Sequence, residues 1–247
     1  MLLAAENETL YQHIDTGLLF LRKQYIETGY IDFIARKTGI GKAEELAKAI
    51  ITLHDVAKGY DEYQERVRAG KKFPKHEFFS AYIADKTLNL DTEQKTMAEL
   101  AIIWHHIAMR SPRFWVELRN WRKYNAPEVL NLRDPNRLLS ILREVCLKWK
   151  ISVISVENIP QKIGIYEIED YIKKLYKLSE TNTINLYLKT IYYVRILILC
   201  DNYAASINRA TATREKIPIF LRDMSPPENI FKVRKQIEKL TKSIRRA

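Results

Sequence analysis

The stretch KAEELAKAIITLHDVAK, residues 42–58, decides how this chain reads. Leu46, Ile50, Leu53 and Ala57 recur at helical intervals and form one apolar face. The spacing predicts a helix over 42–57, with His54 and Asp55 in its last turn and Gly59 as a stop. Imidazole and carboxylate are metal-binding side chains at neutral pH. Adjacent helical residues point about 100° apart, yet both can reach one ion from a helix end. Asp55, with two oxygens, can bridge to a second ion.

The remaining histidines extend the pattern. All five in the chain fall into one series, His13, His54-Asp55, His76, His105-His106, followed far downstream by Asp201. Each arrives from a different predicted helix. Glu6 to Tyr25 carries His13 beside a stripe of Leu10, Ile14, Leu18 and Leu21. His76 opens a helix after the basic loop Gly70-Lys71-Lys72-Phe73-Pro74-Lys75. The helix capped by Asp91 or Thr92 ends near His105-His106, and Ile184 to Ala210 carries Asp201. Ligands that project inward from separate helices are how helical bundles build metal sites. Mixed His and Asp ligands suit Mn, Fe, Ni, Co or Zn, and tolerate Mg. A structural zinc site would show close Cys/His spacing instead.

Other segments read as follows. Ile31 to Lys37 is a short helix ended by Gly39, and Asp134-Pro135 starts another that runs to Trp149. Ile151 to Val156 alternates and is expected to pair with Ile163 to Ile168 as a small hairpin around 151–168. Seven glycines in 247 residues, with 47% hydrophobic content, favour a mainly α chain with a full core over a many-stranded sheet. The net charge of +11 suits a polyanionic partner or a Lys-rich surface. Cys146 and Cys200 form no CxxC, which leaves a zinc ribbon or a thioredoxin without support. No signal peptide is apparent, and the most apolar run, Ile191 to Cys200, contains Arg195 and is too short to span a bilayer. A cytoplasmic protein without membrane contact is expected.

The order H…HD…H…HH…D resembles the HD-domain phosphohydrolase superfamily. Within it, the chain is most similar to the stand-alone HD nuclease subunit of type I CRISPR interference. Four features carry that likeness: His54-Asp55-Val56-Ala57-Lys58, close to HD-x-G-K with Ala57 for the usual glycine; His76 after a Lys-rich loop; the doubled His105-His106; and Asp201-Asn202-Tyr203-Ala204-Ala205-Ser206. The resemblance implies one ion on His13, His54, Asp55 and Asp201. It implies a second on Asp55, His76, His105 and His106. Lys58 would contact the scissile phosphate or orient water, and Ser206 would support the site near Asp201. The family cleaves nucleic acid, chiefly single-stranded DNA, alongside an ATP-dependent helicase and a surveillance complex. No GxxxxGK[ST] motif is present, so a helicase would be a separate polypeptide.

Residues 1–215 are expected to form an HD nuclease domain, and the prolines and basic residues of 216–247 a C-terminal loop and helix packed on the same domain. Lys71, Lys72 and Lys75 are candidate phosphate contacts, as are Arg110 and Arg113. The two arginines open a segment, Arg110 to Tyr124, in which cations interleave with Phe114, Trp115, Trp121 and Tyr124. Two other functions fit the same residues: hydrolysis of nucleotides or cyclic dinucleotides, and a non-catalytic nucleic-acid-binding protein with structural histidines.

Overall fold

The computed structural model describes residues 1–107, 127–180 and 183–209. Arg110, Arg113, the aromatic segment around them and the C-terminal 216–247 lie outside the described residues. Nine α-helices occur among those described: α1 Leu10–Leu21, α2 Tyr30–Thr38, α3 Ala43–Leu53, α4 Asp61–Arg68, α5 His76–Thr87, α6 Thr92–Ile107, α7 Pro135–Trp149, α8 Ile165–Glu180 and α9 Thr183–Arg209. No described helix is long and apolar enough to cross a membrane.

The site rests on five of these helices. α1 packs on α9, α9 on α6, and α6 on α5, while α3 touches all four. The predicted stripes face this core: Leu10, Ile14, Leu18 and Leu21 of α1, and Leu46, Ile50 and Leu53 of α3, are all buried. At the crossing of α1 with α3 and α9 stands Gly17. A Cβ there would lie 3.2 Å from Ile51 Cγ2 and 3.8 Å from the Cys200 carbonyl oxygen. Gly17→Val is therefore expected to pry the helices apart at a cost of about 1–3 kcal/mol. A lowered urea midpoint at unchanged m-value would register it; an unaltered midpoint would mean that the crossing has slack.

Local chemistry sets the helix ends. Thr9 Oγ1 accepts from Gln12 N–H at 3.1 Å while Gln12 Oε1 accepts from Thr9 N–H at 3.2 Å, a capping box that starts α1. Asp91 Oδ1 accepts from Gln94 N–H at 2.9 Å at the start of α6. Pro135 takes the first position of α7, and Gly39, at φ 72°, ends α2.

Three expectations change. The helix expected from Glu6 begins only at Leu10, because Leu3–Ala5 (β1) pairs antiparallel with Glu8–Thr9 (β2). Gln64 holds β1 in place, its Oε1 accepting from Leu3 N–H and its Nε2 donating to Leu3 O. The helix expected to run through Ala57 ends at Leu53, and Val56–Gly59 form a 3₁₀ turn. The hairpin around 151–168 is re-paired. Lys162–Gly164 (β4) is a strand, but its antiparallel partner is Val129–Asn131 (β3). Residues 151–155 instead bond to the chain leaving α5, through Asn89 N–H to Val153 O and Ser155 N–H to Thr87 O, each 2.8 Å.

Candidate metal centre

The end of α3 creates the centre. His54 is the last residue in helical conformation, its N–H still bonded to Ile50 O at 3.0 Å. Asp55 leaves it at φ −114°, ψ 8°. This break re-aims Asp55, so that two adjacent residues face one point although a continuous helix would splay them. The 3₁₀ turn is pinned from α5 by Ser80 Oγ, which accepts from Ala57 N–H at 3.1 Å. Ala57 is fully buried and its φ is not positive, so the glycine usual at this position is not needed here for backbone reasons.

Around Asp55 the structure brings together seven side chains in two overlapping groups. One is His13, His54, Asp55 and Asp201; the other is Asp55, His76, His105 and His106. Within each group the candidate ligand atoms lie within 4.8 Å of one another. Asp55 divides its oxygens between them. Oδ2 lies 3.4 Å from His13 Nε2 and 3.6 Å from His54 Nε2, and Oδ1 lies 3.0 Å from His76 Nε2. Asp201 Oδ1 sits 3.1 Å from His13 Nε2 and 3.8 Å from His54 Nε2. His106 Nε2 is 3.1 Å from His76 Nε2.

The outer hydrogen bonds fix which ring nitrogen faces inward. His54 Nδ1 donates to Ile51 O at 2.8 Å, His76 Nδ1 to Phe73 O at 2.8 Å, and His105 Nδ1 to Ile102 O. A carbonyl can only accept, so each of these Nδ1 atoms carries a hydrogen. In the neutral ring Nε2 is then a lone pair. His76 Nε2 thus turns a lone pair toward Asp55 Oδ1. That oxygen and His105 Nε2 are both buried without a hydrogen bond. Buried acceptors that face other acceptors fit a cation between them, and a held Nδ1 with a free Nε2 is the arrangement of metal-bound histidine.

The charges agree. Burial would raise the Asp55 pKa, but the neighbouring Lys58 outweighs it and holds the carboxyl well below its usual range. Lys58, itself buried, places Nζ 2.5 Å from Asp55 Oδ2. Burial opposes ionisation of Asp201 as well, and the hydrogen bond from His13 overcomes it and holds the carboxyl well below its usual range. Burial and the neighbouring His54 push His105 down to about 3. Burial, His105 and His76 lower His106 well below its usual range. Both imidazoles are therefore neutral donors near pH 7. Burial also works against a charge on His13, but bonds with Asp201 and Glu8 raise its pKa to about 9. A metal at His13 must displace that proton, and so binds better as pH rises.

The remaining candidates are placed differently. Lys75 directly precedes His76 and holds an unusual left-handed φ of 61°. Lys71 and Lys72 are exposed, and Lys71 lines a surface depression beside Glu62, Glu65 and Glu128, a carboxylate-rich setting. Ser206 Oγ donates to Asn202 O at 2.6 Å, so its hydroxyl is engaged by the backbone of α9. One residue escaped the sequence reading. Glu8 is buried, and its Oε1 lies 2.7 Å from His13 Nδ1. Its spacing of five residues before His13 was the available signal, but an expected helix start hid it.

The HD domain family model matches residues 8–146, more than half of the chain and including every histidine of the two groups. The chain therefore belongs to the HD-domain family, whose members are metal-dependent hydrolases. Among solved structures, it is similar to the CRISPR-associated Cas3 HD domain protein from Methanocaldococcus jannaschii. The identity is 19%, over 81% of this chain and 98% of that one, with a TM-score of 0.49. No curated protein sequence matches the chain.

Proposed function

We propose that this protein is a two-metal nuclease that hydrolyses phosphodiester bonds of single-stranded nucleic acid, chiefly DNA, in CRISPR antiviral defence, with its helicase on a separate chain. The observation that carries this reading is the division of Asp55 between two ligand groups, one oxygen to each. Two ions held by these groups would supply the Lewis acidity that activates water and offsets charge on both oxygens of a displaced phosphodiester. His13, His54, Asp55 and Asp201 hold one ion; Asp55, His76, His105 and His106 hold the other. The doubled histidine and the late Asp201 segment favour the CRISPR branch over single-ion hydrolases of the superfamily.

The residues around the ions handle the phosphate. Lys58 Nζ lies against the Asp55 carboxylate, where it would contact the scissile phosphate or orient water. His106 and Asp201 are the two partly exposed members of otherwise buried groups, so substrate approaches from their side. Lys75 stands beside His76, and Lys71, Lys72, Arg110 and Arg113 are further candidate contacts for a phosphate backbone. Ser206 supports the helix that presents Asp201.

The test is incubation of the protein with labelled single-stranded and duplex DNA and RNA across Mn, Ni, Co, Fe, Mg and Zn, with EDTA controls. Single strands are expected to be cut in the presence of metal and spared in EDTA. Binding should weaken linearly in log K against log salt, with a slope of roughly −0.7 per phosphate neutralised. Hydrolysis of nucleotides or cyclic dinucleotides in place of polymers would move the assignment to a small-molecule phosphohydrolase. Inactivity with every ion would leave a binding protein.

A further inference from the structure

We propose that Glu8 is a positioning residue, a buried charged bracket that makes the two metal sites inequivalent by acting on the ion at His13 alone; this rests on the metal reading above. Three of the histidines lean on neutral backbone carbonyls through Nδ1. His13 leans on a carboxylate, Glu8 Oε1, at 2.7 Å. Glu8 is 1% exposed, and its partners hold it there. The same Oε1 accepts from Asn208 Nδ2 at 2.8 Å, and Asn208 Oδ1 accepts from Thr16 Oγ1 at 3.2 Å. The Thr16 hydroxyl thereby orients the amide, so that its NH₂ faces Glu8.

The network is directional. It starts at α1 with Thr16, crosses to α9 at Asn208, returns through Glu8 on β2 and ends on the His13 ring, whose Nε2 faces Asp201 on the same α9. It locks the ring angle. It also places a negative charge behind the imidazole, and this makes Nε2 a stronger donor. The group at His13 thus combines two carboxylate ligands with a third carboxylate behind, while the group at His76 has three imidazoles and only the shared Asp55. Outer partners of this kind change metal affinity about 10–100-fold.

The experiment is calorimetric titration of the metal-free protein with Mn²⁺ or Co²⁺, alongside metal content by mass spectrometry. Wild type is expected to take two ions. Glu8→Gln keeps an acceptor of the same shape without the charge, and Glu8→Ala removes both. Each should weaken one ion, the alanine variant by about 10–100-fold and the glutamine variant by less, with the other ion unaffected. In an Asp201→Ala background, which retains only the ion at His76, adding Glu8→Gln should leave Kd within about twofold. Equal weakening of both ions, or of neither, would overturn the bracket while leaving the metal centre standing. Absence of any ion from wild type would overturn the metal reading itself, and the bracket with it. Circular dichroism of Glu8→Gln guards against misfolding, since a purely structural role would lower thermal stability without separating the two ions.

Discussion

Asp55→Ala is expected to strip the protein of both ions in one step and to lower cleavage on the order of a thousandfold or more. The reason is the division of its oxygens, Oδ2 toward His13 and His54 and Oδ1 toward His76. Asp201→Ala removes a ligand from one group only and should leave one ion bound. His54→Ala is likewise expected to abolish cleavage while the second group keeps all four of its ligands. Alanine at 55 also leaves the buried Lys58 ammonium without its 2.5 Å partner, which destabilises the fold. Asp55→Asn is the companion variant, since it keeps the shape and one oxygen. Metal content and cleavage are measured together. Two ions retained in Asp55→Ala, or turnover at the wild-type rate, would remove Asp55 from the bridging role.

The second large effect concerns stability. Glu99 on α6 is buried and bonded to Tyr171 Oη, which donates to Oε2 at 3.0 Å. Burial first, then the charge of Asp85, raises its pKa from 4.5 to about 8 against the opposing pull of Tyr171, Lys95 and Lys174. The folded state therefore holds a proton that the unfolded chain releases between these values. The sign follows from linkage: where the folded state binds more protons, stability falls as pH rises. Stability conferred by the neutral carboxyl is full below about 4.5 and is lost by about 8. Glu99→Gln keeps a neutral acceptor for Tyr171 without the titration. It is expected to raise stability by about 2–4 kcal/mol at pH 8 and to change little at pH 5. Thermal unfolding of both proteins across that range decides it, and parallel pH profiles would show that Glu99 is ionised in the fold without cost.

The helices were legible where periodicity was long. α1, α3 and α7 each carry three or more buried residues at helical spacing, and a cap or a proline marks the start of α6 and α7. The short strands were not. β2 spans two residues and β1 three, too few for alternation to register, and β1 is held by the distant Gln64 side chain. Ile151 to Val156 alternates like a strand, yet the chain leaving α5 takes its hydrogen bonds. The residue types of the centre were visible in the order of the histidines, because each metal-binding side chain is rare and distinct. Its geometry was not. The break at Asp55 lies inside an apolar stripe that continues smoothly to Ala57, since a 3₁₀ turn buries the same face as the helix it replaces. Glu8 fell inside the helix expected from Glu6, and only the fold shows that it is buried against His13.

The 3.1 Å span between His13 and Asp201 also sets an order of assembly. α1 is the first described helix to be synthesised and α9 the last. Domains emerge N-terminus first during translation, so the segment that bears the HD signature, residues 8–146, is complete long before Asp201 and Asn208 appear. A nascent chain at that stage has all five of its histidines in place and the first ligand group unclosed. Closing it demands the longest sequence separation in the centre, the slow kind of contact in folding. Hydrolytic competence is thus a property of the finished fold rather than of the signature, and it is withheld until the final described helix docks.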